Sequence, residues 1–362
     1  MVVDFLIIGQ GLVGSVLALT LENNNHSCFI IDQDPEITSS KVAGGIMHPM
    51  SFKRCILSWR GNEFFDFSEE FYRNYNQKFN IETYKDLKLY RLFNSYEEQN
   101  NWIGKTSFEP YSSILNHQNT SIKEITSQFG NGEVKKCGQL NVSEFLKQTK
   151  VFIKNKNRLI NVLFDPLKLA KRDEYFTYND IQAKHVVLCQ GTEGANNKLF
   201  NYLPLIPNKG ELLTIETNHL PQVMLSKGVF TFPEKEKLFT LGATYSHTDY
   251  SETTTTAAKE ELLSQMEKIK TLADLKIITH KYGFRPTTTD RKPLVGQHPT
   301  LDNLYIFNGM GSKGVLIAPL IAKELHLHII NKQKLDPASN ISRFSNKFTS
   351  NHLEFSQKIS NQ

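Results

Sequence analysis

The first thirty residues alternate short apolar runs with one longer run of helical spacing. Residues 2–8 are apolar except for Asp4, residues 12–21 carry apolar side chains three and four positions apart, and residues 28–31 form a second short run that ends at Asp32. Short continuous runs are typical of strands buried on both faces, and the spacing of the longer run is typical of a packed helix. The pattern predicts a strand–helix–strand unit of a parallel sheet.

Later apolar patterns predict a return to this sheet and a second, antiparallel layer. The run at 186–191 has the composition of a buried parallel strand, and a further run at 304–307 precedes a helical pattern at 315–330. The other elements expected are a helix at 59–79, strand-like pieces within 83–140, antiparallel strands at 211–215, 229–232, 238–245 and 276–282, an amphipathic helix at 256–270, and a polar, only partly ordered tail after residue 331.

A glycine-spaced turn joins the first strand to the first helix. Gly9, Gly11 and Gly14 have the G-x-G-x-x-G spacing of a dinucleotide-binding turn, in which glycines permit a tight turn, close approach to a pyrophosphate and close helix packing. Asp32 is placed to accept hydrogen bonds from both hydroxyls of an adenosine ribose, and an acid there argues against a 2′-phosphate. The alternative is an ordinary strand–turn–helix whose glycines only pack.

Composition describes a globular protein with no compelling charge signature. The 362 residues are enough for two domains, 39% are hydrophobic and 22% charged, and the net charge of +5 comes with no dense Lys/Arg block. Such a charge permits an acidic substrate or nucleic acid without requiring either. The N-terminal apolar run lacks a basic flank and ends in glycines, so we expect neither a secretion signal nor a membrane span, but a soluble cytoplasmic protein.

Cysteine usage and the absence of common catalytic motifs narrow the chemistry. The sequence contains no Ser-His-Asp arrangement, P-loop or zinc-ligand spacing. No metal site is expected. Four scattered cysteines are expected to be buried free thiols of a reducing compartment: Cys28, Cys55, Cys137 and Cys189.

Three further blocks extend the N-terminal turn into a family pattern. They are G-F-R-P-T-T-T-D at 283–290, P-L-V-G at 293–296 with N-L-Y at 303–305, and the glycine-dense stretch 309–319. In this order, over nearly the whole chain, they resemble the FAD-dependent D-amino-acid oxidase and glycine oxidase superfamily. The resemblance implies an α/β fold with a discontinuous Rossmann-like FAD-binding domain and a second α+β substrate domain built on an antiparallel sheet. It also implies oxidation of a carbon–nitrogen bond by hydride transfer to the flavin.

The likeness also implies domain and cofactor assignments. Residues 1–82, 141–206 and 283–345 are expected to form the FAD-binding domain, 83–140 and 207–282 the substrate domain, and 346–362 a polar tail. FAD is expected to bind tightly without a covalent bond. Amides of the second glycine block would stabilise negative charge on reduced flavin, unless that block only caps a buried strand. The residues implied to hold FAD are Gly9, Gly11, Leu12, Val13, Gly14, Asp32, Gln33, Ser39, Ser40, Gly44, Gly45, Ile46, Gly191, Gly309, Gly311, Ser312, Lys313, Gly314 and Val315.

Arg285 is the residue implied to bind the substrate. Its planar guanidinium matches a carboxylate, and such a charge-assisted contact contributes about 1.5–3 kcal/mol. The alternative is a structural salt bridge with a neighbour such as Asp290. Tyr245 could close the pocket or belong to the core, and His48 could contact the substrate amine or only form loop hydrogen bonds. Lys313 faces flavin, an acidic substrate or solvent.

Three functions stay open at this point. The leading hypothesis is an oxidase or dehydrogenase of a small amino acid or N-substituted glycine, whose imine product is hydrolysed by water. The second is an FAD-dependent enzyme acting on the carboxymethylaminomethyl group of a tRNA wobble uridine, because 242–245, 311–314 and 318–319 resemble that branch, although its methyltransferase half is absent here. The third is a noncatalytic flavoprotein.

Overall fold

The chain divides into two compact units, each assembled from separate stretches. The computed structural model describes residues 1–116, 122, 125 and 127–360. Unit 1 comprises Met1–Ala43, Val142–Asn208 and Phe284–Gln362, and unit 2 comprises Gly44–Asn141 and Lys209–Gly283. Elements that are distant in sequence therefore share each unit.

The described residues contain eight α-helices, and several begin at a side-chain cap. The hydroxyls of Thr38, Ser95 and Thr255 each accept the amide three residues further on, which satisfies a donor that the first helical turn leaves unpaired. The helices expected at 59–79, 256–270 and 315–330 are confirmed, with slightly different ends. The helices are α1 (Leu12–Asn23), α2 (Ser39–Val42), α3 (Gly61–Phe79), α4 (Tyr96–Thr106), α5 (Val142–Lys154), α6 (Thr256–Glu267), α7 (Gly314–Asn331) and α8 (Ser350–Ser360).

Twenty-one strands lie in the same described part of the chain, and most are short. They are β1 (Val2–Ile8), β2 (Cys28–Asp32), β3 (Ile46–Met47), β4 (Met50–Ser51), β5 (Ile56–Leu57), β6 (Tyr84–Asp86), β7 (Leu89–Leu92), β8 (Leu115–Asn116), β9 (Asn131–Val134), β10 (Gly138–Leu140), β11 (Leu159–Asn161), β12 (Leu169–Arg172), β13 (Tyr175–Tyr178), β14 (Ile181–Leu188), β15 (Leu205–Glu216), β16 (Met224–Lys227), β17 (Val229–Lys235), β18 (Leu238–Gly242), β19 (Lys276–Thr288), β20 (Leu294–Gln297) and β21 (Leu304–Asn308).

Unit 1 is built on an eight-stranded sheet with β1 inside it. The order is β11-β2-β1-β14-β13-β12, with β21 beside β14 and β20 beside β21. On β1, Ile7 pairs in parallel with Ile30 of β2 and with Val187 of β14, and all three side chains are fully buried. Burial on both faces explains their continuous apolar runs. The strand–helix–strand unit and the later return of the chain to this sheet are confirmed.

Unit 2 contains a second eight-stranded sheet in the order β19-β15-β18-β17-β16-β7-β9-β8. The antiparallel layer is confirmed, with one exception: β16 and β7 pair in parallel. Helix α6 packs against β17 and β18 and places Leu262 and Met266 in the core. The long strands β15 and β19 cross the division between the units, so the first residues of β15 and the last residues of β19 belong to unit 1.

The unit boundaries and two segments differ from the sequence expectation. Residues 44–82 lie in unit 2, where β3 pairs with β10, instead of in the unit that begins the chain. Helix α4 lies within 83–140, where only strands and turns were expected. The polar tail contains α8, because Phe355 and Ile359 are spaced by one helical turn and pack against the unit 1 core.

The cysteines and the long apolar helix are both part of the protein interior. All four cysteines are buried and free, as expected. Among the described residues, Gly311–Asn331 has the length and hydropathy of a membrane-spanning helix, and 56% of its most apolar stretch is buried inside the protein. Helix α7 packs against α1, which accounts for its apolar composition as a core helix of unit 1.

Candidate active site

The turn between β1 and α1 leaves no room for side chains at two positions. Gly9 has φ +103°, and a Cβ there would lie 2.5 Å from the carbonyl oxygen of Cys189. A Cβ on Gly14 would lie 1.9 Å from the carbonyl oxygen of Gly9. Both distances are far inside van der Waals contact, so backbone packing itself requires glycine at Gly9 and Gly14. Gly11 has more space, with Ser40 Oγ 3.2 Å from the position of its Cβ.

Helix α1 begins without a side-chain cap, and its N-terminus is suited to an anion. Gly11 is the N-cap, and Leu12 donates its amide to Ser40 Oγ at 3.0 Å. The amides of Val13 and Gly14 belong to the first turn and therefore have no acceptor within the helix. These amides and the helix dipole can hold a pyrophosphate, so the turn fits the ADP end of FAD. Ser39 and Ser40, both implied to line the cofactor, lie in α2 of the same unit.

The carboxylate of Asp32 is oriented by backbone beside this turn. Its Oδ1 accepts the amide of Gln10 at 2.8 Å, and its Oδ2 accepts the amide of Asp34 at 2.8 Å. Each oxygen keeps a lone pair for a further donor, which is what two ribose hydroxyls require. The side chain of Asp32 is half-buried, and the neighbouring Gln33 is exposed.

The side chain of Asn308 forms hydrogen bonds that connect two loops at the ends of neighbouring strands in unit 1. Its Oδ1 accepts the amide of Gly309 and its Nδ2 donates to the carbonyl of Gly191, both at 2.8 Å. Gly309 has φ +74°, a conformation that favours glycine. Asn308 is not among the residues expected from the sequence. The available signal was a polar residue at the end of an otherwise apolar strand.

The stretch after Gly309 forms one short turn before helix α7. Residues Gly311–Lys313 make a 3-10 turn, and Gly314 begins the helix. Ser312 is exposed, whereas Val315 is buried. Burial lowers the pKa of Lys313 to about 8, so this ammonium loses its proton in weakly alkaline solution.

Arg285 projects from the end of β19 that borders the second glycine block. A Cβ on Gly311 would lie 3.9 Å from Thr287 Cγ2, so Thr287 faces that glycine. Arg285 lies two residues earlier on the same strand face, about 7 Å along it. Its Nη1 donates to Asn208 Oδ1 at 3.0 Å, and Asn208 is fully buried.

Asp290, the alternative partner considered for Arg285, forms its ion pair elsewhere. Its Oδ2 lies 2.8 Å from Arg343 Nε, and this contact holds the pKa of Asp290 below its usual range against the opposing effect of burial. Asn208, which Arg285 contacts, was not selected from the sequence. No local motif indicates the contact between Asn208 and Arg285, because the two residues are 77 positions apart in the chain.

The other expected site residues lie in unit 2. Tyr245 is 62% exposed and lies three residues after the end of β18 at Gly242, so it is not a core aromatic. His48 is half-buried, and its ring stacks on Phe52 at a centroid distance of 5.0 Å and lies 5.6 Å from Phe230. The loop implied to line the flavin precedes His48 in the chain: Gly44, Gly45 and Ile46.

The glycine turns, Asp32 and the arginine on β19 together match a known family. The family of FAD-dependent oxidoreductases designated DAO matches residues 4–326. The chain belongs to this FAD-dependent oxidoreductase family. It is 25% identical to the glycine oxidase of Bacillus subtilis over 91% of this chain and 94% of that protein. It is also 31% identical to the glycine oxidase of Pseudomonas aeruginosa, over 120 residues that make up about a third of each chain.

A solved structure supports the fold over nearly the same length. The iminodiacetate oxidase of Chelativorans sp. BNC1 superposes with a TM-score of 0.77 at 17% identity, covering 94% of this chain and 98% of that one. At this identity the likeness shows the fold. FAD is therefore the cofactor of this enzyme, and the geometry of the two glycine turns and Asp32 fits it.

Proposed function

We propose that this enzyme oxidises the carbon–nitrogen bond of a small amino acid or an N-substituted glycine. Bound FAD supplies a two-electron hydride acceptor. The substrate loses a hydride from the carbon and a proton from the nitrogen, and water then hydrolyses the resulting imine to a carbonyl compound and an amine. This overall reaction places one demand on the protein above all, which is to hold the substrate in one orientation.

The proposal rests on the position of Arg285. Its side chain leaves the face of β19 on which Thr287 borders Gly311, within the block implied to hold the flavin. A guanidinium there can bind the substrate carboxylate through two parallel hydrogen bonds. The buried Asn208 orients that group by a 3.0 Å bond, and because its amide is neutral the bond does not cancel the arginine charge.

The relatives support a substrate of this size and charge. Two of the matched proteins are a glycine oxidase and an iminodiacetate oxidase. Glycine and iminodiacetate both carry a carboxylate one carbon from nitrogen. We infer that the substrate of this enzyme shares that arrangement. We also propose that Tyr245 contacts the substrate by closing the pocket and that His48 contacts the substrate amine.

Anaerobic reduction of the purified holoenzyme tests the proposal. Glycine, sarcosine, iminodiacetate, both enantiomers of alanine and proline, and tRNA bearing carboxymethylaminomethyluridine are each mixed with the oxidised protein without oxygen. We expect at least one small carboxylate-bearing amine to bleach the flavin, while methylamine and dimethylamine bleach it at least about ten-fold more slowly. Bleaching by the tRNA alone would favour the tRNA-modifying function. Failure of every compound would contradict amine oxidation and leave a noncatalytic flavoprotein.

A further inference from the structure

Lys209 is a buried lysine at the point where β15 enters unit 2. The residue is 1% exposed, and its ammonium donates to Asp249 Oδ2 at 2.8 Å, Ser251 Oγ at 2.8 Å and the carbonyl of Thr253 at 2.6 Å. A lysine has three N–H donors, so these three acceptors satisfy all of them. Glu211 Oε1 lies 3.4 Å from the same ammonium. Three of the four partners come from the stretch between β18 and α6.

Glu211 extends this cluster to the start of α6. It is 2% exposed, and its carboxylate accepts the amide of Thr255 at 2.9 Å and the Thr255 hydroxyl at 3.0 Å. His280 Nε2 on β19 lies 2.8 Å from the same carboxylate. Since Thr255 is the N-cap of α6, Glu211 fixes the far end of the stretch that Lys209 holds in the middle.

Backbone hydrogen bonds fix the near end of this stretch on both sides of Tyr245. The amide of Thr244 donates to the carbonyl of Glu211 at 3.1 Å, and Lys209 and Ser246 exchange two bonds of 2.9 Å. Tyr245 therefore lies between two anchored residues while its own ring is exposed. We call residues 244–255 the Tyr245 segment.

Burying the charged groups of Lys209 and Glu211 carries a large desolvation cost, so this cluster is an inefficient way to stabilise a fold. Removing an ammonium and a carboxylate from water costs more than an apolar pair of similar volume, and buried ion pairs are often replaceable by apolar residues without loss of stability. The Tyr245 segment contains no helix and only the single bridge pair at Ser246, and most of its side chains are exposed. Apolar burial thus contributes little to its conformation, and directional contacts to Lys209 and Glu211 determine it.

We propose that Lys209 is a positioning residue that holds the Tyr245 segment in one conformation and thereby places the Tyr245 ring for substrate binding. The second half of this statement rests on the proposed function, in which Tyr245 contacts the substrate. At 1% exposure, Lys209 has no free surface with which to contact a ligand directly. It acts through Asp249, Ser251 and Thr253, which follow Tyr245 in the chain.

Limited proteolysis of the holoenzyme tests the first half without any substrate. Chymotrypsin cleaves after aromatic residues, and Tyr250 in the segment is 59% exposed. We expect cleavage there to be about ten-fold faster in K209M and in the milder variant D249N, because the segment opens more often. The matched control is K281M, which removes an exposed lysine of β19 and leaves the rate unchanged. Wild-type cleavage rates in both K209M and D249N would overturn the proposal, even if one variant folds poorly.

A double-mutant cycle tests the second half on a substrate found in the anaerobic screen. If Lys209 acts through the Tyr245 ring, the loss of kcat/KM in D249N/Y245A is no larger than in Y245A alone, and FAD content is unchanged. We expect the loss in D249N to appear in KM. Additive losses would overturn the link to Tyr245 while the proposed function stands. If no compound reduces the flavin, the proposed function fails, and the proteolysis result still decides whether Lys209 fixes the segment.

Discussion

The glycine turns of unit 1 and the Tyr245 segment of unit 2 are held by opposite means. In unit 1, Gly9 and Gly14 let backbone approach backbone so closely that a single Cβ would collide with a carbonyl oxygen. In unit 2, the side chains of Lys209 and Glu211 reach across to a segment that has almost no regular structure. The cofactor turns are thus shaped by the absence of side chains, and the proposed substrate segment by their presence.

This difference explains why one region is visible in the sequence and the other is not. Close backbone approach needs glycine, so it leaves a fixed spacing in a short window. A polar network uses common residue types that meet only after folding, as Lys209 and Asp249 do across 40 residues. A substitution in either region should therefore fail in its own way.

The largest effect is expected from Gly14→Ala. The added Cβ would lie 1.9 Å from the carbonyl oxygen of Gly9, so β1 and α1 must separate. We expect a strain of about 3 kcal/mol or more and an FAD affinity reduced by at least about a hundred-fold. The FAD content of the purified protein and its thermal unfolding measure both. An FAD-replete G14A protein would show that the turn tolerates a side chain, and would break the contrast between the two regions.

Acid should affect His298 of unit 1 and Asp249 of unit 2 differently. Burial lowers the pKa of His298 in unit 1 to about 4, from 6.5, and its neutral ring accepts the amides of Thr300 and Leu301. As pH falls from about 6.5 to about 4, the unfolded chain gains a proton that the folded chain cannot, so up to about 3 kcal/mol of stability is lost. The hydrogen bond from Lys209 helps to lower the pKa of Asp249 to about 2, so Asp249 stays charged throughout this window.

Urea unfolding at pH 7 and pH 4.5 measures this effect. We expect the wild type to lose more stability on acidification than H298Q, which has no imidazole to protonate. Equal losses in the two proteins would show that other groups govern the acid sensitivity of unit 1.

A smaller effect is expected from Asp32→Ala. The substitution removes the two acceptors proposed for the ribose and the acceptor of the Gln10 amide, but it leaves the three glycines of the turn in place, so FAD should bind about 10- to 100-fold more weakly. D32N, which keeps one oxygen acceptor, should lie between D32A and the wild type. Titration of apoprotein with FAD, followed by flavin fluorescence, gives the three affinities. Wild-type affinity in D32A would place the ribose elsewhere.

The smallest effect, and of opposite sign, is expected from Gly104→Ala. Gly104 lies inside helix α4, and a Cβ there meets no atom within 4 Å. We expect a gain of about 0.5–1 kcal/mol in the free energy of unfolding, because alanine is the better helix former. Thermal unfolding beside G14A provides the check. A destabilised G104A would mean that the loss in G14A is not specific to close backbone approach.

The parts predicted from sequence are those that short-range patterns determine. The βαβ unit of β1, α1 and β2 followed from buried apolar runs and glycine spacing, and helix α6 from its amphipathic pattern. Helix α4 was missed although Ser95 and Glu98 form a cap that the sequence displays. Helix α8 was missed because its polar composition hides one apolar stripe that ends in the buried Ile359.

The candidate site divides in the same way. Glycine spacing pointed to the turns and to Asp32, and family likeness pointed to Arg285. The residues that orient these groups, Asn208 and Asn308, were not found, because each contacts a partner more than 70 residues away. The only local sign of Asn308 is that a polar residue ends an apolar strand, and no local pattern marks Asn208.

The most direct test removes the proposed contact between Arg285 and the substrate carboxylate, either by substituting the arginine or by using a compound without the carboxylate. The rate of anaerobic flavin reduction is measured for wild type and R285M, each with sarcosine and with dimethylamine, which lacks only the carboxylate. If the screen identifies another substrate, that compound and its analogue without the carboxylate replace this pair. We predict that wild type favours the carboxylate-bearing member by about 10- to 150-fold and that R285M, with normal FAD content, hardly distinguishes the two. An equal preference in both proteins would show that Arg285 does not hold the substrate carboxylate.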